Sequence, residues 1–305
     1  MKFEKPPLTL EEQLDLLICR GLECQNRELP LHCLGHLNYY RLAGYWLPFE
    51  SDHATHQFKA GTRFEDIMNL YIFDRELRLL VLDAIERIEV SIRTGLAYHL
   101  SHQYGPHTHL DSSIFKTPSE YWNYEKQKTK LAGGTDRSRE IFIQHHRERY
   151  DEPLPPLWVS VEVMTLGQLS KWYANLRKRE DRNAIAHRYD LDEGNLCSFL
   201  HHLTTIRNLC AHHSRLWNRK FTFTFKLPNK RPSLLVKSFN THDRSRIYNT
   251  LTTLAWMMDC ISPEHHWKLR LKRLLERHGV SLRLMGFPEG FTSNRIWATT
   301  WSEPS

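Results

Sequence analysis

The chain has 305 residues, 40% hydrophobic and 25% charged, an ordinary balance for a folded core that excludes fibrous and disordered classes. Lys and Arg number 42 against 35 Asp and Glu, a formal charge of +7 that favours an anionic partner. RNA fits that charge better than a membrane, because no stretch approaches the roughly 20 apolar residues of a bilayer span and no basic amphipathic anchor accompanies a lipidation signal.

The N-terminus shows no apolar signal region, so a cytoplasmic protein is expected. Thr9-Leu10-Glu11-Glu12 has the form of a capping box and precedes Leu14, Leu17 and Ile18, which predicts an opening helix. Tyr39 to Phe49 reads as an aromatic turn region. A second capping form at Thr62-Arg63-Phe64-Glu65 leads into Ile67, Leu70, Leu77, Leu80, Val81, Ala84, Ile85, Ile88 and Ile92 at helical spacing. This predicts one long helix, or two broken near Asp74, ending near Tyr104. On it Asp83 with Arg87, and Glu89 with Arg93, stand four apart and can pair, contributing about 0.3 to 0.5 kcal/mol each if exposed. Such a charged face either serves structure alone or supports a site elsewhere, and Glu86 and Arg87 are the candidates for that support.

A loop with Pro106, His107, His109 and Asp111 precedes a charged region containing Gly133-Gly134, read as a mobile helical excursion. Pro153, Pro155 and Pro156 punctuate the chain before a helical stretch from Leu157 to Leu176 and a short helix near Asn183. Leu196, Phe199, Leu200, Leu203, Ile206 and Cys210 then mark the buried face of a further helix. Phe221, Phe223 and Phe225 alternate with threonines, which predicts a short strand or an extended arm ending at Leu227-Pro228. With Lys220, Lys226, Lys230 and Arg231 beside them, this arm is the expected contact with an RNA backbone outside any catalytic centre. Helices from about Asp243 to Cys260 and Pro263 to His278 complete the chain.

Chemistry concentrates in Arg207 to Arg219. The segment reads as one helix, and within it Asn208, His212, Arg215 and Arg219, separated by four, three and four positions, stack on one face. Arg207 lies five positions before His212, about 140° away around the axis, so a second copy of the helix would bring the two groups together more easily than one. Imidazole exchanges a proton near neutral pH, and guanidinium holds phosphate oxygens with paired donors, which are the needs of RNA cleavage without a metal. Spacing does not single out this pair, since Arg182 with His187 and Arg273 with His278 also fit Arg-x4-His. A solvated helix end with a satisfied histidine is the alternative for each. No CxxC pair, HExxH, phosphate loop or GxSxG elbow is present, so no metal and no cofactor are expected.

The chain resembles the Abi-like family of bacterial abortive-infection proteins, a branch of the HEPN superfamily of helical, often RNA-cleaving domains. The resemblance begins at Lys5-Pro6-Pro7-Leu8-Thr9 and Arg20-Gly21-Leu22, and includes Tyr39-Tyr40-Arg41-Leu42-Ala43-Gly44-Tyr45-Trp46-Leu47-Pro48-Phe49. It continues through Phe73-Asp74-Arg75-Glu76-Leu77-Arg78, Arg93-Thr94, Tyr104-Gly105-Pro106-His107, Pro155-Pro156-Leu157-Trp158 and Gly167-Gln168-Leu169-Ser170, to the Arg207 to Arg219 segment and Met285-Gly286-Phe287-Pro288. It assigns the motif to Arg207 and His212, and implies a homodimer or higher oligomer with a site shared between two chains.

The fold it implies is all-α, a HEPN-like helical bundle with N-terminal and C-terminal helical elaborations and either one short β-hairpin or an extended arm. Residues 1–61 would pack on a core of residues 62–220, with the basic arm and last helices at 221–305 in the same globular unit. The expected activity is a metal-independent endoribonuclease of phage defence. His212 is its general acid/base, Arg207 holds the scissile phosphate, Asn208 orients them, and His213, Arg215 and Arg219 contact substrate. RNA is the expected partner, as substrate or as a regulator. The competing expectation is a non-catalytic RNA-binding or protein-interaction module of a defence or toxin-antitoxin system.

Overall fold

In the computed structural model, residues 2, 4 and 6–302 are described, and they divide into two compact units, Met1–Leu77 with Leu274–Val280, and Arg78–Arg273 with Ser281–Ser305. Among the described residues there are fourteen α-helices and one two-stranded sheet, so the all-α class holds.

The first unit opens with α1 (Leu10–Cys19), whose capping box forms as its sequence predicts: Glu12 N donates to Thr9 Oγ1 at 3.2 Å and Thr9 N to Glu12 Oε2 at 2.7 Å. α2 (Glu28–His36) follows. The aromatic region is not a turn. Tyr39–Trp46 is α3, capped by Asn38, because Leu42, Tyr45 and Trp46 fall at helical spacing and all three are buried. A hairpin of β1 (Glu50–Asp52) and β2 (Gln57–Phe58) comes next, so the one sheet lies here rather than at Phe221 to Phe225.

α4 (Phe64–Tyr104) is one unbroken helix of 41 residues. Asp74 does not break it: its fully buried carboxylate accepts from Tyr45 Oη at 2.7 Å, which removes the cost of an unpaired polar group inside the unit. Nor does Thr62 cap it. The Thr62 hydroxyl donates to Lys59 O at 2.8 Å, and the reach-back bond runs from Arg63 N to Asp66 Oδ2 at 3.0 Å, one residue later than the sequence form suggests.

In the second unit α5 (Tyr124–Arg137) carries Gly133 and Gly134 within the helix, and α6 (Ile141–Arg149) follows. The expected helix from Leu157 to Leu176 divides into α7 (Leu157–Ser160), a 3₁₀ turn and α8 (Leu166–Ala174). The division comes from Thr165 and Gln168, which form a second capping box and start α8 afresh. α9 (Arg179–Ala186) leads to α10 (Glu193–Ala211), which packs on α8 and α9. Leu196, Phe199, Leu200, Leu203, Ile206 and Cys210 are all buried, and each large apolar side chain so removed from water contributes about 1.5 to 3 kcal/mol. α11 (Ser233–Ser238), α12 (Tyr248–Ile261), α13 (Trp267–His278) and α14 (Arg295–Ser302) complete the chain, α13 ending in the first unit.

α12 is buried almost all round, and its internal threonines avoid unpaired hydroxyls. Thr252 and Thr253 donate to the carbonyls of Tyr248 and Asn249, while Thr250 Oγ1 lies 2.9 Å from His202 Nε2 of α10. Among the described residues no helix is long and apolar enough to cross a membrane.

Burial pushes His202 down to about 4, and does the same to His109. Each folded value is depressed, so acid favours the unfolded chain: the stability due to neutral imidazole is intact above the ordinary histidine range and is lost as pH falls from about 6.5 towards 4. The expected loss is up to about 3 kcal/mol per group. Urea unfolding midpoints measured from pH 7 to 4.5 should fall steeply in wild type and less steeply in His202→Gln, and parallel slopes would refute the assignment.

Candidate active site

The motif sits where α10 ends. Its apolar face holds the helix against α8, so Arg207 and Asn208 in the last turn and His212 at the C-cap are left exposed. The helix stops because His213 adopts φ +57°, the left-handed region. Ser214 N then bonds Leu209 O at 2.8 Å and His213 N bonds Cys210 O at 3.0 Å, the paired closing bonds of a Schellman turn. Beyond it Leu216 and Trp217 turn into the core and are buried. Asn218, also left-handed at φ +51°, accepts a hydrogen bond from Arg246 Nη1, and that guanidinium nitrogen also donates to Leu284 O at 3.1 Å.

This termination corrects the expectation of one stripe of Asn208, His212, Arg215 and Arg219. Only Asn208 and His212 are related by helical geometry, and Arg215 and Arg219 are half-buried in the following turns. There Arg219 Nη1 donates to Arg215 O at 3.3 Å. His213 and Lys220 are exposed.

Arg207 Nη1 lies 3.4 Å from Asn208 Oδ1, and among the described residues no hydrogen bond joins Arg207 to His212. Arg207 acts electrostatically on Glu89 of α4, although no ion pair joins the two among the described residues. Burial raises the Glu89 carboxyl above the ordinary range, while Arg93 and Arg207 pull it the other way. Glu89 pairs with Arg93 one turn on, and Arg93 also donates to Met164 O at 2.7 Å and lies 3.6 Å from Glu162. Contacting charges thus run from Glu162 through Arg93 to Glu89, and Arg207 acts on Glu89 from beyond contact distance. Glu86 is exposed, and Arg87 engages Asp83 at 3.4 Å, a carboxylate that Arg270 also holds at 2.9 Å. The sequence shows the Glu89–Arg93 spacing but carries no signal that Arg207 comes within electrostatic range of it.

The Arg182 to His187 and Arg273 to His278 pairs have different surroundings. Arg182 is buried, its Nε 2.8 Å from Glu193 and its Nη1 donating to the carbonyls of Leu176, Arg177 and Lys178 at the end of α8 and beyond. Its guanidinium is spent on backbone. His278 Nδ1 lies 2.6 Å from Asn69 Oδ1 and its ring packs edge-on to Phe73 at 5.8 Å. Of these three pairs, Arg207 with His212 alone presents both side chains to solvent, while a fourth match, Arg27 with His32 at the start of α2, is exposed as well, with Arg27 held by Asp15 at 2.7 Å.

The basic arm forms no strand. Phe221, Phe223 and Phe225 all face α10, with ring centroids 5.8 Å from His202, 4.8 Å from His201 and 4.9 Å from Phe199 respectively. The contacts step back along the helix, so the arm runs antiparallel to α10. Asn195 Nδ2 donates to Lys226 O at 2.9 Å and Lys226 N to Ser198 Oγ at 2.8 Å, which fixes the arm near the start of α10. Lys226, Lys230 and Arg231 therefore lie at the end of α10 opposite His212, where they line one cavity of about 480 Å³. Among the described residues no group of three or more His, Cys, Asp or Glu is placed to hold a metal ion.

A left-handed backbone at His213 tolerates glycine and resists a β-branched side chain. His213→Gly should be more stable than His213→Val by about 1 to 2 kcal/mol in urea unfolding. Equal stabilities would show that the turn does not depend on that conformation.

The family model described as Abi-like protein matches residues 32–218. Searches of curated proteins and of solved structures return no significant match. The matched span covers more than half of the 305 residues and contains α4, α8 and α10 with Arg207, Asn208 and His212, and on that match the chain belongs to the Abi-like protein family.

Proposed function

We propose that this Abi-like protein is a bacterial phage-defence ribonuclease of HEPN type that cleaves RNA without a metal and thereby aborts infection. The observation that carries the reading is the joint exposure of Arg207, Asn208 and His212 at the end of a helix whose other face is locked in the core. A rigid support of this kind keeps reacting groups in place.

In the reaction the ribose 2′-oxygen bonds to the adjacent phosphorus and the bond from phosphorus to the 5′-oxygen breaks. A base takes the 2′-hydroxyl proton and an acid delivers one to the leaving oxygen. His212 serves as the acid/base, Arg207 holds the charge that builds on the phosphorane, and Asn208 orients the guanidinium. The Glu89 carboxylate attracts the Arg207 guanidinium at longer range. The separation of Arg207 from His212 within one chain supports a site completed by a second copy, with His212 of one protomer meeting Arg207 of its partner. The products are a 2′,3′-cyclic phosphate and a 5′-hydroxyl.

Purified protein incubated with total RNA in EDTA should yield new cyclic phosphate ends. Loss of one acid/base group costs about 10² to 10⁴ in rate, so His212→Ala should drop turnover by that factor while retaining RNA binding. A binding module predicts no His212-dependent cleavage. Mixing His212→Ala with Arg207→Ala should restore part of the activity if the site is composite, and inactivity of every mixture would overturn that arrangement.

A further inference from the structure

The strip of α10 between the basic cavity and His212 has a composition that points to one ligand. Gly194, His201 and Asn208 recur every seven residues, and Thr205 and His212 fall between or beyond them, so all five share one face of the helix. His201, Thr205, Asn208 and His212 are exposed. At the start of the strip Gly194 has no side chain to cover the cavity, and a β-carbon there would stand 3.6 Å from Lys226 Nζ.

The cavity is lined by His187, Lys226, Lys230 and Arg231, with Asp190, Asp192, Asn195 and Asn229 supplying polar neighbours. Of the two carboxylates, Asp192 is committed to capping α10 through Asn195 N at 2.7 Å. The positive end of the α10 dipole adds to the attraction for an anion. Midway, Phe223 contacts His201 edge to face and still exposes 40% of its surface. An exposed ring beside a histidine offers a platform for an unpaired base.

We propose that this face of α10 is a track for single-stranded RNA, with a backbone phosphate seated among Lys226, Lys230 and Arg231, a base on Phe223 and His201, and the strand ending at His212. The inference rests on the ribonuclease reading for what happens at His212, and not for the binding itself. The 19 residues of α10 span about 27 Å at 1.5 Å per residue. A stacked strand places a phosphate every 3.4 Å or so, so the track needs roughly eight nucleotides to reach both ends. Duplex RNA keeps its bases stacked inside and cannot use the platform.

The test uses full-length His212→Ala protein, which binds without cleaving, and fluorescence anisotropy with a 4-nucleotide strand, a 12-nucleotide strand and a 12-base-pair duplex. The 12-nucleotide strand should bind at least about tenfold more tightly than the 4-nucleotide strand, and than the duplex. Adding Lys226→Ala, Lys230→Ala and Arg231→Ala should collapse that advantage and reduce the salt dependence by up to about three released ions. Phe223→Ala should weaken the 12-nucleotide strand alone, and Lys230→Glu, a single change at an exposed position, guards against loss of folding in the triple variant. A length advantage that survives these substitutions overturns the track, as does equal binding of strand and duplex. In His212-competent protein, cleavage of the 4-nucleotide strand as readily as the 12 would sink the track and leave the ribonuclease reading standing. Track-dependent binding with no cleavage of any RNA would do the reverse.

Discussion

Burial of one face of α10 governs the direction of every group the helix carries. Leu196, Leu200, Leu203 and Ile206 are completely removed from water, and rotating the helix by one residue would expose them and bury charge in their place. The cost of that exchange fixes Gly194, His201, Asn208 and His212 on the opposite side. Stability and site geometry therefore have one physical origin, the apolar contact between α10 and the helices beneath it.

The ends of the helix are set separately. At the start Asp192 caps the backbone, and Asn195 uses its side chain to hold the returning arm. At the finish the left-handed His213 lets the chain turn so that Leu216 and Trp217 reach the core. That turn is why Arg215 and Arg219 leave the helical stripe. It also lets the phenylalanine arm double back, carrying its lysines away from the motif that precedes them in sequence.

Electrostatics distinguish the motif from its copies. Arg182 is buried among carbonyl oxygens and Glu193, which take up its Nε and Nη1 donors. Arg207 is exposed and acts only electrostatically on the half-buried carboxylate of Glu89, which is paired with Arg93. The same five-residue spacing thus serves to hold the connection between α8 and α9 in one place and an exposed cation in another.

The sequence by itself determined the helical class, the opening cap at Thr9, the end of α4 near Tyr104 and the buried face of α10, because these depend on local hydrogen bonding and on apolar periodicity within one element. It also marked Arg207, Asn208 and His212, through motifs whose order along the chain identifies the family. Tertiary structure decided that Asp74 is held by Tyr45, a partner 29 residues away, whereas the helix at Tyr39–Trp46 and the division at Thr165 follow from local caps at Asn38 and Thr165 that the aromatic content and apolar run obscured. It decided as well that Glu89 comes within electrostatic range of Arg207 and that Lys226, Lys230 and Arg231 gather at the far end of α10. Charge and spacing specify what a side chain can do, but the packing of other helices specifies what stands opposite it.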